Sequence, residues 1–108
     1  MKVFISQASR HAAHNLDDLS ERWQMRKEAQ GYALYVPSSI PRFKDMLEAR
    51  LFRAELAKIR VVLETDFKHL KGQKHEDAMI AYKHVQDLQI RIKAVLQAMD
   101  STDNNKEL

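Results

Sequence analysis

The chain has 108 residues, 44% of them hydrophobic, and a formal net charge of +3 at pH 7. That length corresponds to one domain, and so small a charge excess is weak evidence for a polyanion partner. With no cysteine in the sequence, disulfides, thiolate metal sites and cysteine nucleophiles are all excluded.

Turn-forming residues are scarce. Gly31, Gly72, Pro37 and Pro41 are the only glycines and prolines, and they fall in two clusters outside the periodic segments. Few breaks imply long helices, and a sheet protein of this size needs more turn signals. The apolar run after Met1 is too short for a signal peptide, and no stretch approaches the ~20 apolar residues that span a bilayer. The expectation is an all-α cytosolic chain that does not engage membranes.

Taken in order, Val3-Phe4-Ile5 reads as a short extended entry. A first helix is predicted from about Gln7 to Gln30, because Ala12, Leu16, Leu19 and Trp23 step by four, three and four, one face of a helix. Gly31 stands where a left-handed C-cap belongs. Residues 32–36 read as extended, since Pro37 steers Val36 away from helical angles. Ser39 is the expected N-cap of a second helix from about Pro41 to Leu70.

That second helix carries two apolar stripes. Ala49, Phe52, Leu56, Ile59, Leu63, Phe67 and Leu70 form one; Leu47, Leu51, Ala54 and Val61 lie on another side. A helix apolar on two faces needs two covers. After a charged turn at Gly72, a third helix from about His75 to Met99 repeats Ala78, Val85, Ile92 and Met99 at one heptad position, and Ala81, Leu88 and Val95 at another. Residues 100–108 are polar and aperiodic and read as a disordered tail behind a single helical domain, 1–99. The architecture expected is therefore three helices dominated by an antiparallel hairpin, residues 42–70 and 75–99.

Burying one large apolar side chain is worth roughly 1.5–3 kcal/mol, against about 1–2 kcal/mol of backbone entropy per ordered residue. A lone hairpin with one seam is marginal on those terms. The first helix, a second copy of the chain, or both must cover the rest. Leu47, Leu51, Val61, Tyr32, Tyr35 and Ile90 are the residues expected at such a partner or dimer interface.

Chemistry is harder to find. His11 and His14 are spaced to share a metal, with Asp17 and Asp18 nearby, but two ligands do not make a site, and no metal or cofactor is expected. His69, His75 and His84 flank the hairpin turn, where solvated polar roles are ordinary. No phosphate loop fits two distant glycines, and no serine stands in a nucleophile elbow. A strand–helix–strand reading of the first forty residues lacks the glycines of a nucleotide-binding turn. Carboxylates stand three or four residues from cations, as in Glu64/Lys68 and Asp87/Arg91, a surface-pair pattern.

Charge is polarised along the chain. Residues 42–74 hold nine Lys/Arg against five Asp/Glu. Arg50, Arg53, Lys58 and Arg60 are the candidate nucleic-acid contacts on the second helix, although such long stems also shield apolar seams. Two functions are thus expected to compete. One is a non-catalytic helical protein, dimeric, that docks a helical face on a protein partner as adaptor, regulator or inhibitor. The other is a nucleic-acid binder using the basic helix, whose binding would fall steeply with salt.

Overall fold

In the computed structural model, residues 1–6, 19, 23–28 and 31–107 are described, with side chains followed to Ser101. Three strands and two helices are present among them: β1 (Lys2–Ser6), β2 (Gln24–Glu28), β3 (Gly31–Tyr35), α1 (Met46–Asp66) and α2 (Gln73–Glu107). The molecule is mixed α/β, which corrects the all-α, three-helix expectation.

The strands form one antiparallel sheet in the order β1-β3-β2. β3 is central, pairing Val3 with Leu34 and Ile5 with Tyr32 on one side, and Arg26 with Ala33 on the other. The ladder continues one pair past β1, where Met1 and Val36 exchange hydrogen bonds of 2.7 and 2.8 Å. Hydrogen-bonded pairs alternate along an antiparallel ladder, so Val3/Leu34 and Ile5/Tyr32 bond in the same way. β3 then turns Gly31, Ala33 and Tyr35 toward β2.

The first helix of the sequence reading ran through Gln30, and residues 24–28 of it are β2. Gln, Met, Arg, Lys and Glu are good helix formers, and four of these five side chains are exposed. Pairing with β3 overrides the local preference. Positions 7–18, 20–22 and 29–30 of that helix lie outside the described residues, and with them Ala12, Leu16, His11, His14, Asp17 and Asp18. The segments expected to be extended at 3–5 and 32–36 are strands here, antiparallel to each other. A parallel nucleotide-binding unit is therefore not formed.

Gly31 is no helix cap. It opens β3, and an added Cβ would lie 2.1 Å from the Ile5 carbonyl oxygen and 3.0 Å from the Phe4 ring. Its role is close backbone approach. Gly72 is the glycine with positive φ, +64°. It stands before α2, its carbonyl accepting from the Glu76 N–H at 3.2 Å.

α1 begins later than expected because Asp45, not Ser39, is its N-cap. The Asp45 carboxylate accepts from the Glu48 N–H at 2.9 Å, and Glu48 in turn accepts from the Lys44 N–H at 2.9 Å, a reciprocal arrangement of the capping-box kind. The helix ends at Asp66, and residues 67–69 turn the chain toward Gly72. α2 runs on to Glu107, past the Met99 boundary set by the periodicity. Thirty-five residues at 1.5 Å each give about 52 Å, nearly the whole 54 Å long axis.

The core lies between the helices and under the sheet. Ala49, Phe52, Leu56, Ile59 and Leu63 of α1 and Ala81, Val85, Leu88 and Ile92 of α2 are buried together, as their spacing predicts, with Val3, Ile5 and Leu34 joining from the sheet. Trp23 stacks on Phe52, centroids 5.2 Å apart and planes at 13°, while Phe43 tilts against the same ring. The connector after β3 is held to α2 by His84, whose Nε2 lies 2.8 Å from the Pro37 carbonyl oxygen. The sheet therefore closes the turn end of the hairpin, and the connector returns the chain to its open end.

Candidate functional site

Among the described residues, an apolar line on α1 and two clefts stand out at the surface.

The apolar line is the second stripe of the sequence reading. Leu47, Leu51 and Val61 are 75%, 50% and 52% exposed. They step along α1 with Ala54 and Lys58 by four, three, four and three residues. At 100° per residue this is a straight heptad seam pointing away from the core. Neither sheet nor α2 covers it.

The other residues expected at an interface are scattered. Ile90 is exposed on the back of α2, and Tyr35 is exposed on the sheet. Tyr32 packs, half-buried, against the core. Ile80, also exposed, lines a cleft.

The first cleft is at the turn end. Met1, Lys2, Phe4 and Glu28 of the sheet face Lys74, Asp77, Ile80 and Ala81 of α2 around a hollow of about 430 Å³. Lys2 Nζ and Glu28 pair at 2.8 Å across β3; the hydrogen bond to Glu28 and its charge hold the Lys2 amine above its ordinary value. The Lys74 ammonium lies 5.0 Å from the Phe4 ring centroid, a cation–π distance. Gln73 donates to Asp77 at 2.9 Å. The polar groups here are largely satisfied by one another.

The second cleft is at the open end, about 520 Å³ in volume, between Met46, Arg50 and Arg53 of α1 and Lys93, Leu96, Gln97 and Asp100 of α2. It divides the four expected nucleic-acid contacts. Arg50 and Arg53 line it. Arg60 is engaged elsewhere, bonded to Glu64 at 3.2 Å and Gln89 at 3.5 Å, with its guanidinium 5.7 Å over Tyr82. The Tyr82 hydroxyl, and then Glu64, hold that guanidinium above its usual range. Lys58 lies in the apolar line instead. Lys93, outside the basic stretch 42–74, is the contributor that charge counting along the chain missed; only the antiparallel hairpin brings it into the same cleft as Arg53.

No family model, curated protein or solved structure matches the chain. No helix among the described residues is long and apolar enough to cross a membrane.

Two carboxylates of α1 are buried outside the linings of both clefts. Glu55 and Asp66 are 2% and 0% exposed on one side of α1. Asp66 accepts from the Ser6 N–H at 3.0 Å and from the Ser6 hydroxyl at 2.5 Å. This ties the end of β1 to the end of α1 and is structural rather than open to solvent.

Proposed function

We propose that this is a small cytosolic, non-catalytic interaction protein that binds a protein helix along the outward line of α1, first of all the same helix of a second copy. The observation that carries the reading is the exposed seam Leu47, Leu51, Ala54, Lys58, Val61. A solvated face has no reason to keep heptad spacing, whereas a helix–helix contact requires it.

The seam is also self-complementary. Ala54 stands midway between Leu47 and Val61. A two-fold axis at Ala54, with the helices antiparallel, sets Leu47 of each copy against Val61 of the other. The small Ala54 allows close approach at the crossing. Lys58 then lies over Leu51, its stem in contact and its ammonium reaching water.

Sedimentation equilibrium of the full chain between micromolar and near-millimolar concentration tests this. A reversible dimer is expected, with Leu51→Glu shifting it to monomer while the circular dichroism spectrum stays unchanged. A wild-type chain that remains monomeric throughout, or a dimer indifferent to Leu51→Glu, overturns the reading.

A further inference from the structure

We propose that the open-end cleft is a phosphate-binding site for a small phosphomonoester whose body carries an amine or a hydroxyl. Arg50 and Arg53 reach it from successive turns of α1 and Lys93 reaches it from α2. None of these three cations has an ion-pair or hydrogen-bond partner among the described residues, whereas Arg60 and Arg91 on the same two helices are paired with Glu64 and Asp87. Three like charges gathered on one hollow repel, and the repulsion is relieved when an anion enters.

The chemistry of the lining narrows the ligand. Guanidinium groups present forked donors that match phosphate oxygens, and an ammonium adds a point charge beside them. Leu96 is buried and Met46 half-buried beside the exposed Arg50, Arg53 and Lys93, so apolar side chains form part of the lining. Three cations against Asp100 leave two positive charges, matching a phosphomonoester near its dianion at pH 7. The volume lies within the range of small-molecule sites. Asp100 decides between ligand classes: a carboxylate at the rim repels a continuous polyanion but accepts a hydrogen bond from an amine or hydroxyl about one small molecule away. A DNA backbone, which has no 2′-hydroxyl, lacks that partner.

The test is titration of the full-length protein, followed by backbone amide NMR shifts and by calorimetry, with O-phosphoethanolamine, inorganic phosphate, inorganic sulfate and a short DNA duplex. O-phosphoethanolamine is expected to saturate and to bind at least threefold tighter than inorganic phosphate, with shifts confined to the amides around Arg50, Arg53, Lys93 and Gln97. Arg53→Gln and Lys93→Gln should each weaken it about tenfold with the thermal melt unchanged. Asp100→Asn should tighten inorganic phosphate and abolish the preference for the amine-bearing ester. The proposal is overturned by failure to saturate, by sulfate binding as well as the ester, or by shifts spread over both helices. It is also overturned if the duplex outcompetes the ester and loses binding with Arg53→Gln, which would assign the cleft to nucleic acid.

Discussion

Asp66 closes α1 and Ser6 closes β1, and the Asp66 carboxylate receives both the backbone N–H and the hydroxyl of Ser6 in a buried position. The contact joins residues 60 positions apart, so it fixes where the sheet sits on the hairpin. Hydrogen bonds to a charged acceptor are worth about 1.5–3 kcal/mol each, and an orphaned buried donor costs about as much again. Asp66→Ala is therefore expected to destabilise the fold by about 3 kcal/mol in urea titration. Ser6→Ala, which keeps the backbone donor and loses one of the two bonds, should cost about 1.5 kcal/mol. Equal losses from the two would show that the hydroxyl, not the carboxylate, organises the junction.

The two glycines separate two kinds of backbone cost. Gly72 holds φ at +64° with open space around a would-be Cβ, so Gly72→Ala should cost only the left-handed penalty, about 1 kcal/mol. Gly31 has ordinary φ, but a Cβ there meets the Ile5 carbonyl at 2.1 Å. That collision is with backbone and cannot be relieved by a rotamer change. Gly31→Ala should cost about 3 kcal/mol or more and should disturb amide signals in β1 as well as β3. A milder effect at position 31 than at 72 would contradict the strand register.

These positions show where the sequence was legible. The helical hairpin was, because Ala49, Phe52, Leu56, Ile59 and Leu63 and their counterparts in α2 keep a helical period over several turns, and burial enforces that period. β2 was not. Gln24-Met25-Arg26-Lys27-Glu28 buries almost nothing on either face, so it carries neither alternation nor β-branched residues. Only its pairing with β3, a tertiary fact, makes it a strand. Gly31 misled for the same reason, since a helix cap and a close strand crossing both call for glycine. The line Leu47, Leu51, Val61 was visible as a second stripe because its spacing is local. The open-end cleft was half visible: Arg50 and Arg53 are neighbours in sequence, but Lys93 joins them only through the register of the hairpin.

Trp23 is the single tryptophan, 5% exposed, stacked on Phe52, with no hydrogen-bond partner for its Nε1–H among the described residues. Its emission is expected to be blue-shifted in the native state and to move red in one cooperative step on unfolding. Trp23→Ala should cost about 3–5 kcal/mol through the cavity it opens beside Phe52. Trp23→Phe should cost much less than its lost volume suggests, because it also removes an unsatisfied buried donor. A red native emission maximum would place the indole in water and remove it from the core.

The Lys2–Glu28 pair links the two edge strands across β3, and Glu28 raises the Lys2 amine above its ordinary 10.5. A raised folded-state value means that the contribution is fully present below pH 10.5 and fades as pH climbs through the folded-state value. Wild type and Lys2→Met should therefore differ in melting temperature near neutral pH and converge in strong alkali. Both side chains are partly solvated, so the gap should be small and shrink with added salt. A gap that widens with alkali would reverse the sign.

Lys58 offers the sharpest check on how α1 is used. It occupies a seam position between Ala54 and Val61, where a polar residue fixes register at a cost in stability. In the isolated chain Lys58 is exposed, so Lys58→Leu should change the stability of the monomer by no more than about 0.5 kcal/mol. If two copies pair about Ala54, the added leucine meets Leu51 of the other copy, and the dimer should tighten by about tenfold or more. The melting temperature of the variant should then rise with protein concentration more steeply than that of wild type. If the leucine variant tightens nothing, Lys58 does not face a second copy, and the antiparallel register about Ala54 is wrong.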